Sequence, residues 1–286
     1  MRLAAIIVVY DPNFDDLIRN ILSLIDHVDK VLLYQNSLIR EGTFGVLSEY
    51  LDIGKLILLG DGKNLGIATA LNRGVEWSIL NNITHIMTLD QDSYFEKDLL
   101  ASYLDYVEAN NDNSVGVFGV NPVCHGKIDF PMDNVYLEVP DTISSGSIIA
   151  LHTFELCGLF ADQLFIDAVD YEFCYRIKEQ YGLKTVIITP ALMQHEVGYS
   201  KKTAFGFSTV NYSAFRSYYI LRNQIAIWKK FPNSFQNKYK LTLIKDHFFL
   251  RIVKILLAEN DKVAKIKAIA TGIYHGLIGK SGYYKK

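Results

Sequence analysis

Asp90 and Asp92 stand one residue apart where the apolar run His85-Ile86-Met87-Thr88-Leu89 stops, in the order Asp90-Gln91-Asp92-Ser93. Residues i and i+2 of an extended backbone project to the same side, so both carboxylates can address one ligand. A hard divalent cation takes a few carboxylate oxygens together with the phosphate oxygens of its substrate. In an open α/β sheet such ligands collect at the carboxyl ends of strands. The pair also suits a solvated turn, and Ser93 with Glu96 has the spacing of a helix cap.

Other groups carry chemistry of the same kind. Asn64-Leu65-Gly66-Ile67-Ala68 opens a helix after a strand, and Asn72 and Gly74 follow. Small residues there let a backbone approach a ligand, and free N–H groups at a helix start favour an anion. An ordinary start with Asn64 as cap reads equally well. Asp167, Asp170 and Glu172 fall where another helix begins, either complementing its dipole or, if they face Asp92, supplying a general base. Arg176 has the i,i+4 spacing to hold Glu172. His195, after the last strand, is a surface imidazole or the completion of an oxygen-rich metal shell. Arg216, Tyr219 and Asn223 share one helix face, a polar seam or a reach toward phosphate or sugar.

The elements that must position these groups alternate. Strands are predicted at 3–9, 31–34 and 55–59, in the apolar run from His85 that stops at Asp90, and at 115–120, 147–151 and 184–189, the last closed by Pro190. Helices are predicted from Phe14, with Asp11 as cap and Pro12 in the first position, then at 65–80, 96–109 and 168–181. Thr153 is placed to cap a short turn, and 124–140 has loop or hairpin chemistry. This alternation implies an α/β fold with a mostly parallel central sheet and flanking helices. From Tyr212 the strands cease, and helices at 212–230, 237–258 and 261–278 form a C-terminal helical appendage. The expected division is a catalytic domain at 1–211 and a basic amphipathic region at 212–286.

At 286 residues, half of them apolar and with 18 Tyr and 16 Phe, the chain can bury a large core and is not a disordered segment. Cys124, Cys157 and Cys174 lack paired metal spacing and read as buried thiols of a reducing compartment. No run is long enough to span a membrane, and 3–9 lacks a cleavage site, so a cytoplasmic protein is expected. From Lys229 onward there are 13 basic and 3 acidic residues, against 16 and 28 before it. Leu241, Ile244, Phe248, Ile252 and Ile255 make one apolar helix face, with Lys245, Arg251 and Lys254 offering charge. That pattern fits the inner face of a membrane, a homodimer interface or packing against the catalytic domain. No nucleic-acid partner is expected.

Taken in order, Asn64-Leu65-Gly66-Ile67-Ala68 with Asn72 and Gly74, Leu89-Asp90-Gln91-Asp92-Ser93, Phe165-Ile166-Asp167 with Val169-Asp170, and Arg216 with Tyr218-Tyr219 and Arg222-Asn223 resemble the inverting glycosyltransferases of family two. Within that family the resemblance is to bacterial rhamnosyltransferases that use dTDP-L-rhamnose, and it runs from Leu3 to about Trp228. It implies a GT-A fold with Val9, Tyr10 and Asn36 around the nucleoside. Asn64, Gly66, Asn72, Asp90, Arg216 and Arg222 would bind the nucleotide sugar, and Asp92 and His195 would hold Mg²⁺ or Mn²⁺. Asp170 becomes the catalytic base, with Val169 where relatives carry Glu, and Gln35 stands where many carry Asp. The basic amphipathic appendage suggests where the acceptor lives, a hydroxyl of a polyprenyl-diphosphate-linked glycan for O-antigen, capsule or rhamnan. A UDP-hexose donor, a haloacid-dehalogenase-like phosphatase using Asp90, and an inactive assembly partner are the alternatives.

Overall fold

Leu3–Val9, the first strand β1, is apolar at every position because both of its faces are covered. Ala5, Ile7 and Val9 enter one buried cluster, and Ala4 and Ile6 enter another on the opposite face. The strand period of two thus decides which helices each residue meets. The computed structural model describes residues 1–39, 45–96, 98–110, 112–195, 201–202, 208–209 and 211–284.

After β1 come α1 (Phe14–Leu24), β2 (Lys30–Gln35), a 3₁₀ turn at Gly45–Leu47 that enters α2 (Ser48–Asp52), β3 (Leu56–Leu59), α3 (Ile67–Leu80), β4 (His85–Asp90), α4 (Leu99–Ala109) and β5 (Val115–Cys124). Next along the chain are β6 (Lys127–Ile128), β7 (Tyr136–Val139), β8 (Ser147–Ala150), α5 (Leu151–Cys157), α6 (Val169–Tyr181) and β9 (Lys184–Gln194). A two-stranded antiparallel ribbon, β10 (Lys201–Lys202) with β11 (Ser208–Thr209), precedes α7 (Ala214–Lys230). α8 (Asn237–Thr242), a π-helical stretch at Leu243–Leu250, α9 (Arg251–Ala258) and α10 (Lys262–Ile278) complete the chain.

The main sheet has the order β3-β2-β1-β4-β8-β5-β9-β7, with β6 beside β5. β1 pairs in parallel with both β2 and β4, whereas β8 runs antiparallel to β4 and β5. The chain winds outward from β1 to β3 and returns on β1's other side as β4. A crevice therefore opens at the carboxyl ends of β1 and β4, where Val8 pairs with Asp90. α1 and α4 cover one face through Leu17, Ile21, Leu24 and Tyr103, and α3 and α6 cover the other through Leu71, Val75, Phe173 and Ile177.

Several local expectations are corrected. Asn13, not Asp11, caps α1, its side chain accepting from the N–H groups of Asp15 and Asp16. Ser93 caps nothing: it is fully buried in the site described below. Thr153 lies inside α5 rather than at its start. β9 runs through Pro190 to Gln194, because the β5–β9 register slips between the Gly119–Ile187 and Asn121–Leu192 pairs and leaves room for a residue without an N–H. Cys124 is only partly buried, while Cys157 and Cys174 are buried, and all three are free thiols.

The C-terminal helices pack on α7. Leu243, Phe248 and Ile255 turn inward against Ile220, Leu221 and Ile269, so the face drawn from a regular helical period is split. The π-helical stretch adds residues per turn and rotates the helix beyond it, which a 3.6-residue projection cannot anticipate. Arg251, expected to offer surface charge, is buried and paired with Glu259, whose carboxylate also takes the Lys265 ammonium at 2.9 Å. The opposite side leaves Leu241, Ile244, Phe249, Leu250, Val253, Leu256 and Leu257 exposed. No described helix is long and apolar enough to cross a membrane.

α7 and α10 approach so closely that a Cβ on Gly272 would lie 2.6 Å from the Tyr218 carbonyl oxygen. Backbone cannot yield as a side-chain tip can, so Gly272→Ala should destabilise the protein by about 1–3 kcal/mol despite Ala's better helix propensity. Urea unfolding of the two forms measures this, and equal midpoints would contradict the close packing.

Candidate active site

A cleft of about 970 Å³ lies over the β1–β4 crevice, large enough for a nucleotide sugar. Tyr10, Asn36, Asn64, Gly66, Asp90, Asp92, His195 and Arg216 line it, together with Val8, Gln91 and Ser144. Val9, Asn72 and Arg222 are not among its lining residues. Val9 is buried in the core on the other face of β1, and Val8 takes the place expected of it.

The β1 and β4 ends are locked by a residue whose role the sequence did not indicate. Gln91 accepts from the Tyr10 N–H at 2.8 Å and donates to the Tyr10 carbonyl at 3.1 Å. This reciprocal amide pair sets Tyr10 beside the carboxylates. Behind it, the Asp90 N–H donates to Ser145 Oγ, Ser145 Oγ–H donates to Ser93 Oγ, and Ser93 Oγ meets His195 Nδ1, each within 3.0 Å. His195 Nδ1 lies 4.0 Å from Asp90 Oδ2. Burial, helped by the charge of Asp92, raises the pKa of Asp90, against the pull of His195 and Arg216.

Among the described residues no three His, Cys, Asp or Glu side chains converge into a closed metal cluster. The donor set still fits a divalent cation completed by substrate oxygens. Two carboxylates face one cleft, the burial and like charge at Asp90 are what a cation relieves, and Ser93 occupies Nδ1 of His195, which leaves Nε2 for a ligand.

The Asn64-Leu65-Gly66 turn is shaped differently from the expected anion cradle. Asn36 accepts from the Leu65 N–H and donates to the Gly66 carbonyl, Asn64 Oδ1 accepts from the Gly66 N–H, and the Phe165 carbonyl takes the Ile67 N–H at 2.7 Å. The N–H groups of Leu65, Gly66 and Ile67 are therefore already used. Gly66 has φ +87°, and a Cβ there would meet the Phe165 carbonyl oxygen at 2.6 Å, so the close approach it permits is to Phe165. Gln35, which stands where many relatives carry Asp, accepts from the Ile39 N–H.

The facing wall is the 158–168 loop, held by side chains clamped on its backbone. Asn72 makes a reciprocal pair with Phe160, accepting from its N–H and donating to its carbonyl at 2.9 Å each. Arg176, paired with Glu172 as its spacing predicts, donates to the carbonyls of Cys157, Gly158 and Leu159. Arg222 donates to the carbonyls of Gln163, Leu164 and Gly282, and Asn223 to those of Leu164, Ile166 and Asp167. Asn72, Arg222 and Asn223 thus hold the wall instead of reaching ligand as expected. Arg216 alone of that helix face enters the cleft, paired with Asp167 at 3.2 Å.

Asp170 is the second residue of α6, which follows two left-handed residues, Asp167 and Ala168. It sits just outside the cleft lining, within the field of Asp90 and beside the Ser144 backbone, and its carboxylate accepts from the Tyr171 N–H. Burial, with the negative charges of Asp141 and Asp90, pushes its pKa up to about 7. The cleft also holds Phe165, from the Phe165-Ile166-Asp167 motif, and Phe215, Tyr283 and Tyr284, which no sequence pattern marks.

This sheet order, with carboxylates at the crevice where the winding reverses, defines an α/β enzyme of the nucleotide-binding type. The glycosyl transferase family 2 model matches residues 4–147, and the chain belongs to that family; it is a glycosyltransferase of GT-A fold. It is 26% identical to the dTDP-rhamnosyl transferase RfbF of Shigella flexneri, over 97% of this chain and 96% of that one. Among solved structures it resembles GalNAc-T7 with UDP, GalNAc and Mn²⁺ (TM-score 0.60, 13% identity, 97% of this chain) and S. aureus TarS (TM-score 0.53, 14% identity, 96% of this chain). It spans 56% and 43% of the lengths of those two chains.

A carboxyl with a pKa of about 7 in the fold and 3.8 ordinarily loses folded-state stability as it ionises between those values. Asp170→Asn should therefore melt at a higher temperature than the parent at about pH 8, with the difference vanishing near pH 4. Scanning calorimetry across pH tests the sign, and a lower melting temperature at the upper pH would refute the raised pKa of Asp170.

Proposed function

We propose that the chain transfers L-rhamnose from dTDP-L-rhamnose, with inversion, to a hydroxyl of a lipid-linked glycan used in cell-surface polysaccharide. The observation that carries this reading is a cleft with acidic and imidazole groups at the β4 end and, beside it, a carboxyl of raised pKa. Full-length similarity to a dTDP-rhamnosyl transferase supports the donor.

In this reading Tyr10, Asn36 and Asn64 surround the nucleoside, and Asp90 contacts the ribose or sugar of the donor. Asp170 takes the proton of the acceptor hydroxyl, whose oxygen attacks the anomeric carbon from the face opposite the nucleotide. The anomeric C–O bond breaks, its electron pair leaves on the diphosphate of dTDP, and the configuration inverts. Arg216, held by Asp167, offers positive charge to the cleft. Asp92 with His195 would hold a Mg²⁺ or Mn²⁺ ion, which supplies Lewis-acid neutralisation of the departing diphosphate.

The exposed row Leu241, Ile244, Phe249, Leu250, Val253, Leu256 and Leu257 supports peripheral binding to an anionic membrane surface, where a lipid-linked acceptor resides. Lys245 is exposed on the same stretch, and the basic excess after Lys229 complements anionic lipid.

Asp170→Asn should lower transfer by at least about a thousandfold while leaving dTDP-rhamnose affinity within about threefold, and parent activity should fall below about pH 7 as the base protonates. Turnover and isothermal titration across pH read both. A screen of nucleotide sugars with Mg²⁺ or Mn²⁺ should show selective protection by dTDP-L-rhamnose; preference for a UDP-hexose overturns the donor. For the membrane surface, sedimentation with phosphatidylglycerol vesicles should deplete the protein. Placing charge in the exposed row by Val253→Asp together with Leu257→Asp should abolish this, and undiminished sedimentation of that double variant would contradict the surface.

A further inference from the structure

The segment after α10 crosses back over the cleft. Gly282, at φ +87°, donates its N–H to the Gln163 carbonyl, and its own carbonyl accepts from the buried Arg222 guanidinium. Two residues on, the Tyr284 N–H donates to the Tyr219 hydroxyl at 2.8 Å, and the Tyr284 ring stacks on Tyr218 with centroids 3.9 Å apart. Both residues flanking Tyr283 are thus fixed. Tyr283 itself is 61% exposed and lines the cleft, its ring edge-on to Phe165 at 5.2 Å and tilted to Phe215 at 6.1 Å.

A buried arginine and two anchored neighbours that present one exposed ring make a built surface. The anchors hold in place a side chain that stabilises little by its own burial. In the proposed function the β1 and β4 ends meet the nucleoside and diphosphate, and the donor sugar follows the diphosphate toward Asp170. A ring that lines this cleft and is 61% exposed is open to what arrives from outside. Sugar rings carry C–H faces that pack on aromatic faces while their hydroxyls stay hydrated or hydrogen-bonded.

Resting on the glycosyltransferase reading, we propose that Tyr283, backed by Phe215 and Phe165, is the stacking platform for the acceptor's sugar ring. It is a positioning residue that selects a glycan acceptor over water and holds its hydroxyl toward Asp170. The phenol ring, not the hydroxyl, makes the contact.

The test compares the full-length parent with Tyr283→Ala and Tyr283→Phe, using methyl glycosides of glucose, N-acetylglucosamine and rhamnose as probes in saturation-transfer NMR. dTDP affinity is read by calorimetry in parallel. We expect at least one glycoside to bind the parent, about five- to tenfold weaker binding to the Ala form, and binding to the Phe form within about twofold of the parent. dTDP affinity should be unchanged in all three. Failure of every glycoside to bind the parent, equal affinity in the Ala form, equal loss in the Phe form, or a selective loss of dTDP affinity in the Ala form each overturns the platform. Absence of dTDP binding by the parent overturns the transferase reading itself and is separable from those results.

Discussion

The parallel pairing of β1 with β4 is the constraint on which the site depends. Because Ile7 aligns with Leu89 and Val8 with Asp90, the two strands end level, and a crevice opens between chains that leave in different directions. The groups around it keep that edge in register. Gln91 clasps Tyr10 from across the crevice, Asn20 donates to the Asp90 carbonyl at 2.6 Å, and the serine chain from Ser145 to Ser93 reaches His195 from behind. Carboxylates crowded there, half enclosed by protein and within one another's field, have raised pKa values at Asp90 and Asp170. An active site is where such an unfavourable arrangement is retained.

The opposite wall is built on another principle. The 158–168 loop has little regular structure, so its carbonyls need partners other than a helix or sheet ladder. Arg176, Arg222, Asn223 and Asn72 supply them, each a multivalent donor reaching in from a helix. Buried cations are costly unless fully bonded. Glu172 compensates for this at Arg176, and it also takes the Lys230 ammonium at 2.8 Å, which ties α6 to α7. Ile227, Phe231 and Phe235 extend the same wall into the core cluster that holds Ala4 and Ile6.

Much of this was legible in the sequence. The strand–helix alternation, the strand ends at Val9 and Asp90, and the α6 start before Asp170 all follow from local period and punctuation. The rest required distance information. Arg222 and Asn72 have residue types that suit a ligand, and nothing local distinguishes a phosphate from a buried carbonyl as their partner. Gly66 reads as a residue that admits a ligand, yet its space is taken by Phe165, far along the chain and adjacent in the fold. Ser93 has a cap's spacing and a buried role. Pro190 reads as a stop only if the neighbouring strand keeps its register, which it does not. Tyr283 belongs to no periodic pattern, and its place depends on the Arg222 clamp.

The contact between Gly66 and Phe165 bears on how such enzymes can be recombined. The match to the family model ends at residue 147, and Phe165 lies beyond it. The turn inside the matched segment is nonetheless cut to fit a residue outside it, through the 2.7 Å bond from Ile67 N–H to the Phe165 carbonyl. The two halves are therefore not interchangeable modules. A chimera that exchanges the second half between relatives inherits a working seam only when position 66 and the 158–168 loop come from the same parent.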